Sequence, residues 1–149
     1  MKTIILYLLA FAGGVFLAIQ AGFNTQLGAY LKQPVLAVIS TSLFSVIFAS
    51  LFFVTAGKTL PSFNEMQVIP WHLWFIGGLF SVVGISLYFY TIPRLGISKM
   101  IALGLCGQLI FSLLAGKYGW LNLPIEPMTT KKLIGAVAML IGIVLINSK

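Results

Sequence analysis

Two side-chain amides, Gln20 and Asn24, stand four residues apart in a stretch from Thr3 to Leu31 that holds no charged residue. On a helix that spacing puts both on one face. A carboxamide in hydrocarbon costs free energy unless it has a hydrogen-bond partner. Its partners are either other helices or a polar solute with its water. Gln108 and Ser112, again four apart and in line with Gly104, repeat the arrangement later in the chain. A third face carries Gly77, Ser81, Gly84 and Tyr88, which combines room with hydrogen-bonding groups. These neutral groups suit a neutral polar solute, or an anion assisted by helix dipoles. Gln20, Asn24, Gln108, Ser112, Ser81 and Tyr88 are the candidate substrate-binding residues. The competing reading is interhelical hydrogen bonding, on the order of 1 kcal/mol per bond. The two weigh equally for Gln20, Asn24 and Gln108. Ser112 and Ser81 lean towards packing, and Tyr88 towards an interfacial anchor.

Other chemistry fails on the residues available. The two carboxylates, Glu65 and Glu126, both fall in loops, and the single histidine, His72, adjoins a tryptophan at a helix start. No Cys/His/Asp/Glu set has metal-ligand spacing, and no Ser-His-Asp set assembles without a loop glutamate reaching His72. Glycine-rich phosphate loops are absent. The expectation is therefore no enzyme, no catalytic residue, no bound metal and no cofactor. Cys106 lies in an apolar run and reads as a small buried hydrophobe. Intramembrane carboxylates usually carry proton or cation coupling, and none falls inside a span.

The elements that position the amides follow from composition. The 149 residues are 60% hydrophobic and 7% charged, against roughly a quarter charged in soluble domains. This is a polytopic, all-α membrane protein. The net charge of +7 comes from scattered basic residues, paired only at Lys131-Lys132. They read as interfacial anchors rather than a nucleic-acid footprint, so no nucleic-acid partner is expected.

Met1-Lys2 resembles the start of a signal peptide, but Ile19-Gln20-Ala21 is a poor cleavage site. The first helix is read as retained. Counting uncharged runs against the roughly 20 residues that cross a bilayer gives five spans in a single transmembrane domain over residues 1–149: about 3–24, 35–56, 71–92, 97–115 and 132–146. The first can continue to Tyr30. Pro34 suits the opening turn of the second. Pro93-Arg94-Leu95-Gly96 reads as a tight connection, and Thr129 or Thr130 as the last N-cap. Small-residue stripes Gly14-Ala18-Gly22, Thr41-Ser42-Ser45-Ala49 and Gly135-Ala138-Gly142 read as faces for close helix packing.

Charge is nearly balanced across the membrane. With the N-terminus cytoplasmic, that side holds five basic residues (Lys2, Lys58, Lys117, Lys131, Lys132) and the other four (Lys32, Arg94, Lys99, Lys149). Orientation follows Lys/Arg asymmetry, so the chain is expected to insert both ways. Because the span number is odd, two opposite copies would form an antiparallel, inverted-topology dimer of ten helices, an architecture that many transporters build within one chain.

The ordered set Gln20-x3-Asn24-x2-Leu27-Gly28, Gly77-Gly78, Pro93-Arg94-Leu95-Gly96 and Gly107-Gln108-Leu109-x2-Ser112-Leu113, then Gly119, covers nearly the whole chain. It resembles the YdcZ family, half-length five-helix members of the drug/metabolite transporter (DMT) superfamily. The resemblance implies a multi-pass protein of the bacterial inner membrane and a small-molecule transporter. It also implies dual-topology homodimers, oppositely oriented pairs or fused ten-helix chains among relatives. It supplies no substrate. Relatives commonly carry an aspartate where this chain has Gly116, so proton coupling inferred from them is in doubt here.

The leading expectation is a secondary transporter of a small polar or organic solute, working by alternating access in a dual-topology homodimer. Its partners are that solute, the lipid bilayer and a second copy in opposite orientation. The alternative is a non-transporting membrane subunit or channel-like protein whose amides only hold helices together.

Overall fold

The computed structural model describes residues 2–148. Met1, Lys149 and the side chain of Lys2 lie outside the described residues, so the structure does not bear on two of the nine cations counted above. The described residues form α-helices and short 3-10 turns, with no strand among them. The elements are α1 (Lys2–Tyr30), α2 (Pro34–Thr55), α3 (Phe63–Gln67), α4 (Ile76–Leu95), α5 (Ile97–Tyr118) and α6 (Thr130–Asn147). 3-10 turns at Trp71–Trp74 and Trp120–Asn122 precede α4 and follow α5. Five segments are long and apolar enough to cross a membrane: Thr3–Tyr30, Pro34–Thr55, Trp71–Leu95, Ile97–Tyr118 and Thr130–Asn147. At most 11% of the apolar window of any of them is buried inside the chain. Most of their surface is therefore left for lipid or another protein.

Local chemistry sets the ends. α1 runs to Tyr30, and Lys32 reverses the chain with φ at +54°. Pro34 opens α2, where its missing N–H is no loss. Pro93 and Arg94 are helical rather than part of a connection, and the turn into α5 is made by Gly96 at φ +86°. Pro93 lies in the last turn of α4, where it removes only the bond to the Phe89 carbonyl, and the helix tolerates that loss. Gly119, at φ +64°, ends α5 and donates its N–H to the Ala115 carbonyl. Thr129 is the N-cap of α6, its hydroxyl accepting from the Lys132 N–H at 3.3 Å.

The loop between α2 and α4 holds more order than its composition suggests. Ser62 and Glu65 form a capping box on α3. The Ser62 N–H donates to Glu65 Oε2 at 2.7 Å and the Glu65 N–H to Ser62 Oγ at 3.4 Å. The Ser62-x-x-Glu65 spacing is a sequence-level signature of a helix start.

Backbone contacts divide the chain into two units, Met1–Pro93 and Arg94–Lys149. In the first, α1 packs against α2. The core is Ala37 and Val38 of α2, which are 0% and 1% exposed, with Phe89 of α4; Leu27, Ile85 and Tyr88 pack around it. A Cβ added at Gly28 would sit 3.6 Å from both Ala37 Cβ and Pro34 Cα. Ala21, Thr25 and Gly28, spaced along one face of α1, are all buried. This face, not Gly14-Ala18-Gly22, is the one at the close approach: a Cβ at Gly14 would meet nothing within 4 Å. In the second unit α5 packs along α6 and the Trp120–Asn122 turn folds back onto α5. The Trp120 ring lies 6.2 Å from Phe111 and 5.7 Å from Tyr118. On α6, Ala136 and Ile143 are buried, whereas a Cβ at Gly135 or Gly142 would meet nothing within 4 Å.

Candidate functional site

In the first unit, the polar groups inside the spans divide into two kinds. Three threonine hydroxyls are satisfied on their own helix. Thr25 Oγ1 donates to the Ala21 carbonyl at 2.7 Å, Thr41 Oγ1 to Ala37 at 2.8 Å and Thr91 Oγ1 to Leu87 at 2.7 Å. A threonine reaches the carbonyl four residues back because its oxygen sits on Cβ. A carboxamide is longer and has two donors and an acceptor to satisfy. Gln20 and Asn24 are half-buried on α1. Among the described residues neither has a hydrogen-bond partner. They follow one another along α1 beside the packed Ala21-Thr25-Gly28 face, since each amide directly precedes one of its residues.

Ser81 and Tyr88 both lie on α4, at different depths. Ser81 is exposed, and a Cβ at Gly77 or Gly84 would meet nothing within 4 Å. Tyr88 is half-buried against the Ala37-Val38-Phe89 core. The open part of this face is thus its Gly77-Ser81-Gly84 end. Ser86, which the sequence reading passed over, has its Oγ buried without a hydrogen-bond partner among the described residues.

In the second unit, Gln108 and Ser112 are exposed on α5. Ser112 Oγ donates to the Leu109 carbonyl at 2.9 Å, so this hydroxyl too is satisfied within its helix. Ser112 borders an open groove of about 680 Å³ between α5, the segment 123–128 and α6. The groove holds charge, part of it from the loop that precedes α6, where Glu126 was expected. Glu126 Oε2 lies 2.6 Å from Lys132 Nζ, and Lys117 is a further lining residue. The Glu126 N–H donates to the Gly116 carbonyl at 2.8 Å, and a Cβ at Gly116 would sit 3.7 Å from Glu126 Cβ. The segment before α6 thus brings a carboxylate residue against the backbone of Gly116, and its side chain pairs with Lys132.

Both carboxylates are held below their ordinary pKa. For Glu65 the causes are the hydrogen bond from the Ser62 N–H and then that from the Ser62 hydroxyl. For Glu126 the causes are the hydrogen bond from Lys132 and then its charge. Among the described residues no group of three or more His, Cys, Asp or Glu side chains could hold a metal ion.

Five long apolar helices, with unpartnered amides inside one of them, define a multi-pass membrane protein with polar groups available within the bilayer. Residues 5–145 match the family model described as "Putative inner membrane exporter, YdcZ", of DMT type. The chain belongs to this family and is a multi-pass transport protein of the inner membrane. No curated protein and no solved structure matches it.

Proposed function

We propose that the protein moves a small polar or organic solute by alternating access, as a homodimer of oppositely oriented copies acting as one transmembrane domain per chain. The observation that carries this reading is the pair Gln20 and Asn24. They lie within a span, half-buried, with no hydrogen-bond partner among the described residues. An amide in that setting requires a partner from outside the chain. Transporters place substrate sites near the bilayer midplane, between repeats of inverted topology. Ser81 and Tyr88 in the same unit, and Gln108 and Ser112 in the second unit, are the further substrate-binding residues of the proposal. Ser112 contributes its remaining acceptor capacity, since its proton is engaged with Leu109. The near balance of five basic residues against four supports insertion in both orientations.

The test joins orientation to the amides. Reporter fusions at the C-terminus should give signal from both sides of the membrane. Asn24→Ala should abolish the wild-type change in the medium's solute profile while insertion and dimerisation persist. Signal from one side only removes the inverted pair. Dimers that fall apart on Asn24→Ala make the amide a link between copies rather than a solute ligand.

A further inference from the structure

The groove between α5 and α6 has a polar mouth and apolar walls. Its mouth carries Lys117, Glu126 and Lys132, and its walls include Leu109, Leu113 and Met139. Lys117 lies in the last turn of α5 and Lys132 in the first turn of α6, so the mouth sits at the ends of two spans on one side of the bilayer. Leu109 lies eight residues in from Lys117 and Met139 seven in from Lys132. At 1.5 Å per residue the walls reach roughly 10–12 Å towards the membrane centre.

Charge at the mouth is not balanced. Lys131 and Lys132 occupy the first turn of α6, where the helix dipole already presents partial positive charge. Of these two only Lys132 lines the groove; Lys117 is the second lining cation, its Nζ 5.2 Å over the Tyr118 ring. Glu126 is the one carboxylate that lines the groove, and it is engaged with Lys132. Tyr118 and Trp120, stacked at 5.7 Å, mark the level where interfacial aromatics sit. A basic pocket between spans, at headgroup depth and opening onto apolar walls, has the chemistry that anionic lipids recognise.

We infer that this groove binds an anionic phospholipid, with its phosphate between Lys117 and Lys132 and an acyl chain along Leu109, Leu113 and Met139. The lipid competes with Glu126 for Lys132. The two charges of the ion pair therefore act in opposite directions on binding, which an ion pair that only braces the fold would not do.

The experiment is native mass spectrometry of the purified full chain, titrated with phosphatidylglycerol or phosphatidylcholine of the same acyl chains. Phosphatidylglycerol adducts should dominate. Lys117→Gln and Lys132→Gln should each weaken them, roughly fivefold per basic residue lost, while leaving phosphatidylcholine adducts unchanged. Glu126→Gln should strengthen them. Equal binding of the two lipids overturns the inference. So does Glu126→Gln weakening adducts as Lys132→Gln does, which would make the pair structural. Displacement of the lipid by inorganic phosphate alone, with no need for an acyl chain, would reassign the site to a free anion. Adducts confined to the monomer and lost in the dimer would mean that a second copy covers the groove, and would likewise overturn it.

Discussion

Replacing Asn24 and, separately, Gly28 distinguishes a solute-binding face of α1 from a packing face. Asn24 makes no hydrogen bond to the described residues. Asn24→Ala therefore forfeits none of the roughly 1 kcal/mol that an interhelical bond supplies. It gains up to about 0.7 kcal/mol of helix propensity. Chain stability should be unchanged or slightly raised. Gly28 is the opposite case. Ala37 Cβ and Pro34 Cα stand 3.6 Å from the position of its absent Cβ. A methyl fits there at ordinary contact, so Gly28→Ala should be neutral or stabilising by up to about 1 kcal/mol. Gly28→Leu adds three further carbons between helices that have no gap, at a cost of about 1–3 kcal/mol. The assay is unfolding of the detergent-solubilised chain by rising SDS fraction, followed by far-UV circular dichroism at several protein concentrations. A loss of 1 kcal/mol or more in Asn24→Ala that does not depend on concentration would refute the reasoning, because the amide would then hold helices within one chain. A Gly28→Leu variant as stable as the parent would refute the assignment of the α1–α2 contact.

Three further outcomes follow from particular residues. Lys32→Gln changes the charge count from five against four to five against three; the C-terminal reporter should shift towards the orientation with a cytoplasmic N-terminus, and an unchanged ratio would detach orientation from these charges. Gly119→Ala forces a side chain to φ +64° and sets its Cβ 2.9 Å from Ile125 Cγ1; it should cost about 1–2 kcal/mol and shift Trp120 fluorescence, whereas a variant with parental stability and emission would contradict the cap. The carboxyl of Glu126 is held below its ordinary pKa by Lys132, so its stabilising contribution is complete above the unfolded value and is lost as pH falls through the lower folded value; amide exchange at Glu126, whose N–H bonds to Gly116, should stay slow until pH drops below the usual carboxylate range of roughly 4–4.5, and loosening near pH 6 would refute the pairing.

The five spans were legible because bilayer thickness dictates length and the chain punctuates each span with Pro, Gly or Lys. The packed face of α1 was not. In a soluble helix the apolar stripe names the buried side, but in lipid both sides are apolar and only residue size distinguishes them. α1 carries two small-residue registers, Gly14-Ala18-Gly22 and Ala21-Thr25-Gly28, and nothing local ranks one above the other. The end of α4 was misread because Pro93 signals a break, while a proline in the last turn removes only one hydrogen bond. α3 was missed: Glu65 was placed in a loop, although Ser62-x-x-Glu65 carries the spacing of a capping box. Gln20 and Asn24 were legible as expensive groups. That they lack hydrogen-bond partners among the described residues depends on where the neighbouring side chains fall, which spacing does not encode.

Glu126 bears on how transport could be driven. Resemblance to relatives puts an aspartate at the position where this chain has Gly116. In the fold a carboxylate comes to that place from ten residues further along, with Glu126 Cβ 3.7 Å from where a Cβ of residue 116 would stand. Its chemistry is not that of a proton carrier. A carrier carboxylate must titrate near the working pH, which requires burial or a like charge to raise its pKa. Glu126 is shifted the other way by Lys132, and Glu65 by Ser62. These are the only two carboxylate side chains in the chain, and both stay ionised through the neutral range. On the proposed reading, the transport cycle would draw on neutral amides and fixed positive charge, which fits a polar or anionic solute better than exchange of a cation for protons.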